Sequence, residues 1–111
     1  DNSNVDEYIK DPLCGFRVTN GLWDDQSIGM LSVFNRRSYK DSNSNLPILL
    51  LSGSLDPVGR NGKGVRSLFM YLKGIFPNIK YELVENARHE VFSEKNKELS
   101  YVILKTFITK Q

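Results

Sequence analysis

Two residues carry the chemistry this chain could do. Asp56 sits in LLLSGSLDPVG (49–59) and His89 sits in LVENARHEVF (83–92). A carboxylate held against an imidazole fixes its tautomer and stabilises the imidazolium, which is the base half of a nucleophilic triad. Pro57 biases Asp56 away from the helical region, so its carboxylate is expected in an extended loop. Each residue also has an ordinary reading. An Asp-Pro step after a strand is a common turn or helix start, and a lone loop histidine is commonly solvent-exposed or held structurally. What favours chemistry is their joint placement, each a few residues past an apolar segment.

The elements that must position them follow from periodicity. Ile48–Leu51 is a short aliphatic run, the pattern of a strand covered on both faces. Val65, Leu68, Phe69, Leu72 and Phe76 fall at 0, +3, +4, +7 and +11, one face of a helix that Gly74 and Pro77 end. IKYELV (79–84) alternates and closes apolar, predicting a second strand. Leu99, Val102, Ile103 and Phe107 mark a final helix, expected from near Ser93. Strand, helix, strand, helix in this order predicts a parallel βαβ unit with a right-handed crossover. Sites in open parallel sheets form beyond the carboxyl ends of the strands. Adjacent strands lie ~4.8 Å apart, so both loops would leave one edge and Asp56 could reach His89. Upstream, residues 1–8 are polar and expected to be loose, and DPLCGFRVTNG (11–21) is expected to be irregular. Trp23, Met30, Leu31 and Phe34 place a helix between Leu22 and Tyr39, and KDSNSN (40–45) is a polar loop.

Composition narrows the function classes. The chain has 111 residues, 40% of them hydrophobic and 25% charged, with a net charge of +2. That charge is too small, and the lysines and arginines too scattered, to argue for nucleic acid. One cysteine, Cys14, excludes an internal disulfide and suits a reducing compartment. No run approaches ~18 apolar residues, and no basic-then-apolar leader pattern is present. The compartment stays open, with the cytoplasm favoured. The start, DNSNVDEY, lacks a methionine. Together with a sheet of two strands, few for a parallel domain, this leads to the expectation of a fragment.

LPILLLSGSLDPVG, GKGVRSLFMYLKG and LVENARHEVFSE together resemble the C-terminal end of an α/β-hydrolase. The likeness is to the lysophospholipase and monoacylglycerol lipase group, which overlaps the serine aminopeptidase-like hydrolases. DPLCGFRVTNG resembles the stretch after that family's cap, and the resemblance covers roughly residues 11–108. It implies the C-terminal βαβα part of an α/β-hydrolase fold, a parallel sheet with helices on both faces, incomplete as a stand-alone domain. Residues 1–45 would be the end of the cap region and a connecting helix, and residues 46–111 the core segment. Asp then His is the chain order of the last two triad members in these enzymes. The resemblance gives Asp56 as the triad acid and His89 as the base, and Gly62, Lys63 and Gly64 match the family's turn before the helix. It implies a serine ester hydrolase with no metal or organic cofactor. The implied substrate is an acyl ester such as a monoacylglycerol or lysophospholipid, and peripheral membrane contact would accompany it. The sequence departs from the family in one respect: no glycine is followed two residues on by a serine, so the G-x-S-x-G elbow is absent. The HG-type oxyanion segment is absent too. The nucleophile would come from the N-terminal part of the same hydrolase, and the chain alone should be inactive.

Weaker signals have ordinary alternatives. GRNGKG (59–64) suggests a phosphate loop, but Pro57 stands where the first glycine belongs and Gly64 follows Lys63 in place of Ser or Thr. A flexible turn before a helix accounts for it. Cys14 has no neighbour to activate it, and a small buried thiol is the plainer reading. Single histidine and cysteine residues, far apart, disfavour a metal site. Trp23 and Phe34 could line an acyl pocket, though helical spacing fits ordinary core. Two further functions stay open. One is a non-catalytic pseudo-hydrolase or interaction module docking through an open sheet edge. The other is a small doubly wound binding domain with Asp56 at a ligand site.

Overall fold

The computed structural model describes residues 2–110. The chain divides into two compact units, Asn2–Asn43 and residues 44–110.

The first unit is helical. Its α1 (Asn2–Lys10) occupies the stretch expected to be loose. Val5, Tyr8 and Ile9 stand three and four residues apart on one face, and the asparagines around them mask that spacing. Residues 11–19 are irregular, as expected, and α2 (Asn20–Val33) begins after Thr19, whose hydroxyl accepts the Leu22 N–H. The helix expected to reach Tyr39 stops at Val33. Asn35 then accepts the Arg37 N–H at 3.0 Å and starts a separate 3-10 turn, Arg36–Tyr39. Side-chain capping by asparagine competes with helix continuation here. Trp23 and Phe34 are about half exposed, so neither is core within this unit.

The second unit runs β1 (Ile48–Gly53), α3 (Lys63–Lys73), β2 (Ile79–Val84) and α4 (Lys97–Thr109). The two strands pair in parallel, from Ile48 opposite Ile79 to Gly53 opposite Val84. Successive side chains alternate between faces. Tyr81 packs against Phe69 of α3 as a tilted ring pair with centroids 4.8 Å apart, whereas Val84 packs with Leu51 and Ile103 of α4. Tyr81 and Val84 point to opposite faces of β2, so the helices cover opposite faces of the sheet. Among the described residues each strand pairs only with the other. Accordingly β1's Ile48 to Leu51 are half-buried, not fully covered.

Two apolar groups anchor this unit. Leu72, Phe76 and Ile79 are buried where α3 ends and β2 begins. The Leu72 carbonyl accepts both the Ile75 and Phe76 N–H groups at 2.8 Å, which closes the helix before Pro77. Val84, Ala87 and Val91 form the second group, beneath the loop after β2. Ser100 of α4, fully buried, donates to the Val91 carbonyl at 2.7 Å and ties that loop to the helix.

Candidate active site

The loop after β1 builds a rigid seat for one carboxylate. Asp56 is only 5% exposed. Its Oδ1 accepts the Val58 N–H at 2.9 Å, while its main-chain carbonyl accepts the Asn61 N–H at 2.8 Å. Pro57 carries no N–H, so the turn's donors start at Val58. The segment then passes through three left-handed residues, Arg60, Asn61 and Gly62, before α3 begins. Gly62 has a φ of +82°, a backbone conformation that side chains rarely adopt, so glycine is favoured there. GRNGKG is thus a turn leading into a helix.

The loop after β2 is fastened to the first loop along its length. Ser54 N–H donates to the Val84 carbonyl and Leu55 N–H to the Ala87 carbonyl, both at 2.9 Å. The Ser54 hydroxyl accepts the Asn86 N–H at 2.9 Å, and Asn86 is left-handed, turning the chain back. On the far side Arg88 N–H donates to Glu94 Oε1 at 2.9 Å, and the Asn96 amide donates to the Glu85 carbonyl at 2.6 Å. Gly53 lets the loops approach: an added Cβ would meet the Arg88 and Ala87 carbonyl oxygens at 2.1 and 2.2 Å.

These fastenings bring His89 to Asp56, with Nδ1 3.1 Å from Oδ2. An ionised carboxylate only accepts, so Nδ1 carries the shared proton. The other ring nitrogen, Nε2, is then the acceptor of the pair, and the His89 side chain is 60% exposed. The pair is therefore a buried acid behind an accessible imidazole. Chemically, it can take a proton from a nearby hydroxyl and return it to a leaving group.

The electrostatics follow from the contact. Burial alone would raise the Asp56 carboxyl, but the hydrogen bonds from His89 and Val58 outweigh it and hold the group below its ordinary 3.8. The hydrogen bond and charge of Asp56 raise His89 above its ordinary 6.5. The raised imidazole contributes stability fully below 6.5 and loses it as pH rises through its folded value. The depressed carboxyl contributes fully above 3.8 and loses it as pH falls through its own folded value. The ion pair is thus at full strength between 3.8 and 6.5. Proton uptake needs the neutral ring and so develops above 6.5. Titration of the His89 ring by nuclear magnetic resonance is expected to give a midpoint above 6.5 that moves back toward 6.5 in Asp56→Asn.

The other candidates do not join this pair. Cys14 is half-buried, and burial followed by the charge of Asp11 raises its thiol, the reverse of an activated nucleophile. Trp23 lines an apolar hollow of its own unit with Tyr8, Leu13, Phe16 and Leu22, and Phe34 is not among the lining residues. Among the described residues no three side chains group as metal ligands, and no helix is long and apolar enough to cross a membrane. Gly53, Ser54, Glu94 and Asn96 shape the site yet carry little sequence signal. The Ser-Gly-Ser step at a strand end is the one visible hint.

Comparison with known proteins gives a single positive finding. The family model described as "Serine aminopeptidase, S33" matches residues 1–96. No curated protein and no solved structure matches the chain. Residues 1–96 include both strands, the turn into α3, Asp56 and His89. With most of its length matched, this chain belongs to the serine aminopeptidase S33 family of α/β-hydrolases.

Proposed function

We propose that this chain supplies the acid, Asp56, and the base, His89, of a serine ester hydrolase of the lysophospholipase or monoacylglycerol lipase type. The nucleophilic serine is contributed by the N-terminal part of the same hydrolase, outside these 111 residues. The observation that carries this reading is the 3.1 Å contact between His89 Nδ1 and the buried Asp56 carboxylate, which leaves Nε2 as the ring nitrogen able to accept a proton. His89 takes the proton of the serine hydroxyl as it attacks the ester carbonyl. It then protonates the leaving alcohol, and water hydrolyses the acyl-enzyme by the same route. Asp56 holds the tautomer that makes Nε2 the acceptor. Residues 1–45 serve as the end of the cap and its connecting helix. The free strand edges of the described sheet offer a place for its remaining strands to pair. The substrate is a carboxylic ester with one acyl chain on a glycerol or lysophospholipid backbone, met at a membrane surface.

An organophosphonate probe for active-site serines is expected to label the complete hydrolase and to leave the 111-residue chain unlabelled. Labelling of the 111-residue chain itself would overturn the division of the triad. Fatty-acid release from monoacylglycerol, set against amine release from an aminoacyl amide, tests the ester assignment. Faster amide cleavage would reverse it.

A further inference from the structure

Glu94 does not touch Asp56 or His89 by any bond described above, yet it holds the backbone that delivers the imidazole. The peptide group joining Ala87 to Arg88 stands one residue before the peptide that enters His89. Its carbonyl accepts the Leu55 N–H at 2.9 Å, and its N–H donates to Glu94 Oε1 at 2.9 Å. One end of the peptide plane is thus held by the acid loop and the other by a carboxylate. A trans peptide is a rigid plate, and its main freedom is rotation about the line between its two Cα atoms. Holding both the oxygen and the hydrogen blocks that rotation, which would otherwise swing His89 away from Asp56. A charged acceptor on the N–H also polarises the peptide and strengthens the hydrogen bond to its carbonyl. Ala87 is fully buried, so no water replaces the Leu55 partner of its carbonyl, whereas the Arg88 N–H lies at the exposed end of the plate and depends on Glu94 to hold it.

We propose that Glu94 is a positioning residue for His89, its carboxylate locking the Ala87–Arg88 peptide so that the imidazole stays seated on Asp56. The role rests on His89 being the base. The hydrogen bond from Arg88 foremost lowers the Glu94 carboxyl below its ordinary value, against burial, so the carboxylate persists throughout the range in which the imidazole titrates.

The ordinary role for Glu94 is to lead into α4, since its carbonyl accepts the Lys97 N–H at 3.1 Å. Side-chain variants leave that carbonyl in place and separate the two roles. In the complete hydrolase, Glu94→Ala is expected to lower kcat by roughly 10- to 100-fold with KM little changed, because displacing a catalytic group by about 1 Å costs up to ~100-fold. Glu94→Gln keeps an acceptor oxygen and stays within about threefold of wild type. Glu94→Asp keeps the charge but retracts the acceptor, and it is expected to behave like Glu94→Ala. It serves as the deciding variant if Glu94→Ala does not fold. In parallel, the titration of the His89 ring, its signal identified by loss in His89→Gln, moves toward 6.5 in Glu94→Ala and Glu94→Asp and stays raised in Glu94→Gln. Equal behaviour of Gln and Ala variants would mean that an acceptor oxygen at this position does not hold the peptide, and it would overturn the proposal, as would wild-type behaviour of both Ala and Asp variants. The ring titration needs no turnover. If the complete protein hydrolyses no ester, the functional assignment fails while the titration still decides the role of Glu94.

Discussion

Asp56→Asn in the complete hydrolase is expected to lower kcat about 10⁴-fold, the size of effect seen when a triad aspartate becomes an amide. The reason lies in which atom donates. Asp56 Oδ1 accepts from Val58 N–H, and that bond fixes the side chain so that Oδ2 faces His89. In the asparagine variant the oxygen stays with Val58 and the NH₂ turns to the imidazole. Nδ1 must then accept, its proton moves to Nε2, and Nε2 can no longer receive the proton of a serine hydroxyl. The fold is retained, because the main-chain bond from Asn61 N–H to the residue 56 carbonyl does not involve the side chain. His89→Ala is expected to lose at least as much, since it removes the base itself. Saturating-substrate rates, together with an unchanged circular dichroism melt, check both. A loss smaller than about tenfold in either variant would remove the pair from the reaction.

Charge and periodicity made half of this site legible, and local bonding hid the rest. The α3 pattern of Val65, Leu68, Phe69 and Leu72 and the alternation of IKYELV reflect burial, which repeats with the element and can be read in one dimension. β2 occupies residues 79–84 as expected. β1 extends past Leu51 to Gly53, because small residues continue a ladder without an apolar signal. α4 starts at Lys97 and not near Ser93. The intervening residues instead form a turn whose side chains, Glu94 and Asn96, hold the loop of His89. Asp56 and His89 could be paired in advance because parallel strands send both following loops to one edge. The fastenings between those loops pair backbone groups with each other and with short polar side chains, and nothing periodic marks them. In the first unit the same limit worked in reverse: the asparagines suggested a loose end where Val5, Tyr8 and Ile9 sustain a helix.

Gly53→Ala is expected to cause the largest loss, because it acts on fold and site together. A Cβ at this position would lie 2.1 Å from the Arg88 oxygen, 2.2 Å from the Ala87 oxygen and 2.5 Å from the Ala87 carbonyl carbon. All three are backbone atoms, so no rotamer change relieves the overlap. Restoring ordinary contact requires the Ala87–Arg88 backbone to retreat by ~1 Å. That backbone is fixed by Leu55 N–H on one side and Glu94 on the other, so the retreat breaks at least one of these bonds. The cost falls at the upper end of the overpacking range, about 3 kcal/mol. His89 follows the displaced peptide, the 3.1 Å contact with Asp56 opens, and kcat is expected to fall toward that of His89→Ala even in the fraction that stays folded. Urea unfolding of the complete hydrolase measures the first effect, and the rate per folded molecule measures the second. Gly29→Ala provides the internal control. Nothing lies within 4 Å of its added Cβ on α2, and a helical glycine gains roughly 0.5–1 kcal/mol on becoming alanine. Wild-type stability and rate in Gly53→Ala would mean that the two loops do not approach as closely as this geometry requires, and the seat of His89 on Asp56 would lose its structural basis.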